Sequence, residues 1–172
     1  MSGILPTSPA FQALLRHFTD LRDGRHGGCA NRHDKEQLFR REILRLDPVV
    51  REVFAELNTA LLLRTGVVEF NAVQRDTSGG LVASWTLSWP EQEHAGLPPV
   101  MLLGVSGWGF HHPHLRAATV GEWPLNVYSD EQAWAERDVL RAIVAGELHN
   151  LVFQLGGNIR LIPALGSGLE NR

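Results

Sequence analysis

Three of the eight histidines of the chain lie close together, at positions His111, His112 and His114. In extended backbone, side chains alternate between two faces, so His112 and His114 would point to the same side. Two imidazoles on one side can chelate zinc, iron or nickel, which makes the three histidines candidate metal ligands. Two other interpretations fit as well: a structural turn at His112-Pro113 with one imidazole bonded to backbone, and a general acid or base.

The spacing of these histidines matches no established metal motif. A third ligand is available in Glu122, Glu147 or His149, but the chain contains no His-Glu-x-x-His for a helical zinc site. A second, sparser set of metal-binding residue types lies in a glycine-rich stretch, where such residues also occur by chance: His26, Cys29 and His33.

Aromatic residues flank the histidines on both sides. Trp108, Phe110 and Trp123 either pack against the histidine segment or form apolar anchors for a protein partner. Together with His112 and His114 they make up the candidate binding surface.

Composition and charge exclude several classes of partner. The net charge is -3, and aromatic residues are not accompanied by a basic stripe, so nucleic acid is not predicted as a ligand. No apolar run approaches the roughly 20 residues of a membrane span. The single cysteine predicts a reducing, cytoplasmic environment. Lys35 is the only lysine among 16 basic residues, a bias typical of a GC-rich bacterial genome.

Helical patterns occupy both ends of the chain. Ser8-Pro9 is a helix start, and the helix over 8–20 either covers the sheet or mediates a homodimer. A capping box at Asp34 opens a second helix to about Leu46, and Asp47-Pro48 ends it and starts another. A long helix is predicted from Ser129 to about Leu155. Trp134 is expected in its buried stripe.

The middle of the chain changes to a period of two, which predicts three strands over 68–72, 81–89 and 100–105. The segment 106–126 shows no period and is expected to be irregular. The tail 159–163 fits an edge strand or a docking peptide. The predicted class is α+β, an antiparallel β-meander packed against helices.

The element order and three short motifs resemble the ubiquitin-conjugating enzyme (UBC) fold over roughly residues 48–155. The motifs are Pro98-Pro99 before the third strand, His112-Pro113-His114-Leu115, and Gly121-Glu122-Trp123-Pro124-Leu125, followed by Trp134 before a helix. The resemblance implies a UBC- or RWD-type domain.

Two departures from the family pattern bear on activity. His114 stands where the family has asparagine, and Pro124 stands where it has the cysteine that carries the acyl chain. Proline is neither a nucleophile nor a leaving group, so no conjugating activity is expected. Nothing matches Cys29 to the family nucleophile.

These observations predict an N-terminal helix and glycine-rich linker over 1–33 and a UBC-like domain over 34–172. The expected function is a non-catalytic, protein-binding or scaffold subunit whose partner is a ubiquitin-like protein or a conjugation enzyme. The alternative is a metal-dependent enzyme of the hydrolase or oxidase type that uses His111, His112 and His114 with zinc or iron.

Overall fold

The computed structural model describes residues 7–107, 112–155, 157 and 159–165. Its helices and strands follow in this order: α1 (Pro9–Asp23), α2 (Arg32–Leu61), β1 (Val67–Arg75), β2 (Leu81–Ser88), α3 (Pro90–His94), β3 (Val100–Ser106), β4 (His114–Ala117), β5 (Trp123–Pro124), α4 (Asp130–Ala135) and α5 (Arg137–Gln154). Two short 3-10 helices follow, Ile159–Leu161 and Pro163–Leu165. The predicted α+β class, an antiparallel meander packed against helices, is confirmed.

The sheet is a five-stranded antiparallel meander with its strands in sequence order. The alternation that predicted β2 appears as a buried inner face formed by Leu81, Ala83, Trp85 and Leu87. β4 and β5 lie inside the segment expected to be irregular. With 4 and 2 residues they are too short to show a period of their own.

Helix α2 is one continuous helix of 30 residues, so the predicted break at Asp47-Pro48 is wrong. An interior proline costs about 3 kcal/mol, since it removes a donor and crowds the preceding turn. The helix continues because a single buried stripe runs from Phe39 to Leu57 on both sides of Pro48. Each such side chain contributes roughly 1.5–3 kcal/mol on burial, which outweighs the proline.

The long helix predicted at the C-terminal end is divided at Glu136 into α4 and α5. Ser129 caps α4 as predicted, its Oγ accepting from the Gln132 amide. Trp134 was expected in the core but is 43 % exposed, because Ala133 faces the core in its place. No helix in the described ranges is both long and apolar enough to cross a membrane.

Helices α2 and α5 pack against each other and share one core with the sheet. Gly104 of β3 permits the close approach of α2, because a Cβ there would lie 2.5 Å from Ile43 Cδ1. The tail docks rather than forming a strand: the indole Nε1 of Trp89 donates to the Leu161 carbonyl at 2.7 Å.

Candidate functional site

The candidate residues named from the sequence fall into two groups. Trp108, Phe110 and His111 lie outside the described residues, whereas His112, His114 and Trp123 lie within them.

His112 and His114 are both buried, and His114 begins β4 opposite Pro124 of β5. The Nδ1 atom of His114 lies 2.7 Å from the carbonyl oxygen of His112. A carbonyl only accepts hydrogen bonds, so Nδ1 of His114 carries a proton. The backbone-bonded imidazole that the sequence suggested as one interpretation is therefore present at His114.

His17 of α1 lies against both of these histidines. Its ring centroid is 5.5 Å from that of His112 and 5.3 Å from that of His114, with both pairs edge-on. Burial, and then the neighbouring imidazoles, lower the pKa of His17. Burial is also the main cause that lowers the pKa of His112. Both rings are accordingly neutral at pH 7 and each carries a lone pair on one nitrogen.

His26 links the glycine-rich stretch to the body of the protein and is 1 % exposed. Its Nε2 lies 2.8 Å from Glu42 Oε2, and its Nδ1 lies 3.1 Å from the Tyr128 hydroxyl. That hydroxyl lies 2.6 Å from Asp20 Oδ2. The glycine-rich linker predicted from the sequence is closed into a turn here by two backbone hydrogen bonds between His26 and Cys29.

The positions of the protons along this series of hydrogen bonds follow from the groups at its two ends, Glu42 and Asp20. Burial raises the pKa of Glu42 well above its usual value and lowers the pKa of His26 to about 4. The Asp20 carboxylate accepts from the Tyr128 hydroxyl, which in turn accepts from Nδ1–H of His26. A neutral His26 then accepts at Nε2 from protonated Glu42. One hydrogen-bonded chain thus connects buried Glu42 to α1.

Two buried atoms in this region have no hydrogen-bond partner among the described residues, His112 Nδ1 and Glu42 Oε1. Buried polar atoms are normally satisfied, so these two mark positions where a bound ion, ligand or water would be stabilised. No three His, Cys, Asp or Glu residues of the described ranges form a group that could hold a metal ion.

The other predicted ligands make different contacts. Glu122 lies 3.9 Å from Arg116. Glu147 accepts from the Thr119 hydroxyl at 2.6 Å. His149 is exposed on α5.

The remaining candidates are also separated from one another. Trp123 is half-buried, and its Nε1 donates to Glu136 Oε2 at 3.0 Å, so it is not a freely exposed anchor. Cys29 is a half-buried free thiol, and His33 is exposed in the first turn of α2, while His26 is engaged with Glu42.

Helix α1 turns its polar face toward the body of the protein. Its inward face is anchored by Ala13, which is buried, and by Arg16, whose Nε donates to the Asn126 carbonyl. The Asn126 amide donates in return to the Ala13 carbonyl at 2.7 Å. The opposite face carries four apolar side chains that are between 53 % and 66 % exposed: Phe11, Leu15, Phe18 and Leu21. We call this set the outer stripe of α1.

Sequence reasoning did not single out His17, Asp20, Glu42 or Tyr128. One signal was available for the first two. They are three residues apart, and on a helix this places them together, opposite the outer stripe. Nothing in the sequence relates them to Glu42 and Tyr128, which lie in distant segments.

Comparison of the chain with models of known families, with curated proteins and with solved structures found no match.

Proposed function

We propose that the chain is a protein-binding or scaffold subunit of UBC-like architecture, and that the outer stripe of α1 is its binding surface. The exposure of this stripe is the observation that carries the proposal. A contiguous apolar patch on a protein surface marks an interaction site more often than scattered apolar residues do. Covering such side chains stabilises a complex by roughly 1.5–3 kcal/mol each at full burial.

The orientation of α1 strengthens this argument. An amphipathic helix normally buries its apolar face and leaves its polar face in water. Here Arg16, His17 and Asp20 face inward and are held by specific contacts. The outer stripe is thus presented by a docked helix and is not simply left over from folding.

The element order supports the UBC-like part of the proposal. A long helix precedes an antiparallel meander, and two helices follow it. Pro99 directly precedes β3, and Pro113 directly precedes β4, at the points where the resemblance has its proline motifs. Pro124, at the expected cysteine position, is buried in β5 and supplies no nucleophile. Binding without conjugation is the function that fits these residues.

The proposal is tested by affinity capture from the native host with the wild-type chain and two variants. Leu15→Glu places a charge in the outer stripe, and Gln12→Glu places the same charge on an exposed flank of α1. We expect a ubiquitin-like protein or a conjugation enzyme to be retained by the wild type and by Gln12→Glu, and lost with Leu15→Glu. Retention of the same proteins by all three forms, or capture of no such protein, contradicts the proposal.

A metal-dependent enzyme is the second candidate, because His112 and His114 are buried beside a third imidazole. Its first requirement is a bound metal ion, which can be measured independently of any partner.

A further inference from the structure

A series of four hydrogen-bonded side chains, Glu42–His26–Tyr128–Asp20, helps to hold α1 against the body of the protein. We call it the buried series. From Glu42 to Asp20 its three contacts measure 2.8 Å, 3.1 Å and 2.6 Å. Glu42 of α2 is 0 % exposed, whereas Asp20 of α1 is partly exposed. The buried series therefore runs from the core to the helix that carries the outer stripe.

Both ends of the buried series are carboxyl groups, and this fixes the number of protons that it needs. An ionised carboxylate only accepts hydrogen bonds, whereas a neutral imidazole and a hydroxyl can each donate and accept. Three contacts need three protons. They are present when Glu42, the Nδ1 atom of His26 and the Tyr128 hydroxyl carry one each, and Asp20 is then the ionised end.

The loss of one proton leaves two protons for three contacts. If Glu42 ionises, the proton of His26 moves to Nε2 and is donated to Glu42, and the Tyr128 hydroxyl turns to donate to the freed Nδ1 atom. The hydroxyl oxygen and Asp20 Oδ2, 2.6 Å apart, then face each other as two acceptors and repel. This contact is the one that opens, because Asp20 is partly exposed and water can replace the lost donor.

We propose that the buried series is a proton-dependent latch on α1, which holds the helix while Glu42 is protonated and releases Asp20 when Glu42 ionises. The latch acts on α1 itself. It operates whether or not the outer stripe binds a partner.

The groups that face Glu42 favour its protonated form on balance. Burial raises the pKa of Glu42 well above its usual 4.5, and the Asp20 carboxylate adds to the rise. Arg45 and Arg41 of α2 and a hydrogen bond from the Val127 backbone lower the pKa, but burial is the largest effect. Glu42 therefore keeps its proton to a higher pH than an exposed carboxyl group does.

The other titratable groups around the buried series keep one protonation state near neutrality. Burial lowers the pKa of His26 to about 4, and the charge of Lys35 acts in the same direction. The pKa values of the neighbouring His17 and His112 are also lowered, chiefly by burial. Burial raises the pKa of Tyr128, so the hydroxyl keeps its proton. None of these groups thus gains or loses a proton near pH 7.

Linkage gives the direction and the size of the pH effect. A released series no longer needs its third proton, so Glu42 ionises at a lower pH in the released form than in the latched form. Between these two pKa values the ratio of latched to released molecules falls about tenfold for each unit of pH. The latch is complete below the lower pKa and is lost as the pH rises through the raised pKa of Glu42.

Hydrogen exchange of the α1 amides, followed by mass spectrometry on the full chain, measures this release. An isolated helix of 15 residues is marginal in water, so a released α1 loses the protection of its amides. The series of samples covers about pH 5 to pH 9.5, with correction for the intrinsic pH dependence of exchange. We expect the protection of α1 in the wild type to fall at least tenfold as the pH rises.

Two variants should remove this pH dependence, and a third should keep it. Glu42→Gln presents an amide N–H to His26 that does not ionise, so the three contacts keep three protons at every pH. Asp20→Asn can accept from the Tyr128 hydroxyl or donate to its oxygen, so it tolerates either number of protons; it decides the question if Glu42→Gln does not fold. Glu69→Gln is the matched control because it makes the same chemical change at an exposed position of β1.

Three results overturn the proposal: protection of α1 that does not fall with pH in the wild type, a wild-type slope in Glu42→Gln or Asp20→Asn, or a flat profile in Glu69→Gln. The neighbouring histidines are present in every form, so their titration cancels in the comparison. No partner is needed for the measurement, so failure of the latch is distinguishable from failure of the protein-binding proposal.

Discussion

Tyr128 is the only tyrosine of the chain, and its hydroxyl joins α1 to the buried His26. The change Tyr128→Phe keeps the ring and removes this oxygen. Nδ1–H of His26 then loses its acceptor inside the protein, and a buried unsatisfied donor costs about 1–3 kcal/mol. Asp20 is partly exposed, so water replaces the hydroxyl there and the lost bond counts for about 1 kcal/mol. We expect the free energy of unfolding to fall by about 2–4 kcal/mol in total.

Urea unfolding followed by circular dichroism measures this loss, and the same change should lower Tm by roughly 4–16 °C. Asp20→Asn is the matched control because an amide oxygen still accepts from the Tyr128 hydroxyl, so the loss should be about 1 kcal/mol or less. A Tyr128→Phe variant within about 0.5 kcal/mol of the wild type would show that the chain from Glu42 to Asp20 does not hold α1 in place.

Two further changes test the packing and the surface charges. Gly104→Ala should reduce the free energy of unfolding by about 1–3 kcal/mol because its Cβ meets Ile43 Cδ1, and adding Ile43→Val should restore part of the loss in urea unfolding; an unchanged midpoint contradicts this. Hydrogen bonds from Arg75 and Arg32 lower the pKa of Glu36 from its usual 4.5 to about 2, so its contribution is complete above pH 4.5 and is lost as the pH falls toward 2. Because the Arg75–Glu36 pair is partly exposed, we expect it to contribute about 1 kcal/mol to the free energy of unfolding. Glu36→Gln should therefore reduce the fall in this free energy between pH 6 and pH 3, measured by urea unfolding, by about 1 kcal/mol. Identical pH profiles of the variant and the wild type would refute this.

The meander was predictable because its signals are local. The alternation from Leu81 to Leu87 encodes a strand with one buried face, and the structure places that strand between β1 and β3. The turn before β2 also has a local cause. Asp76 Oδ1 accepts hydrogen bonds from the backbone N–H groups of Ser78 and Gly80, which is the usual role of an aspartate in a tight turn.

The helix boundaries were less predictable because the local sequence signals and the tertiary packing favour different structures there. Pro48 is a genuine local signal for a helix end, but the buried stripe on both sides of it outweighs that signal. Asp47, read as part of the stop, instead accepts hydrogen bonds from Arg51 and from the indole of Trp85. A sequence shows the proline but not the indole that lies beside it in space.

In the candidate site, too, the residues with a local signal were predictable and those brought in by tertiary packing were not. His112 and His114 were found from their spacing, since two residues apart on extended backbone they share a side. The third imidazole could not be found in this way. His17 reaches the pair only because α1 packs against β5, which depends on contacts such as Asn126 with the Ala13 carbonyl.

Helix α1 joins the buried polar contacts to the proposed binding surface. Its attachment relies on the polar residues Arg16, His17 and Asp20, and docking through those residues is what turns Leu15 and Phe18 outward. A partner that recognises the outer stripe of the docked helix would therefore favour the docked state of α1.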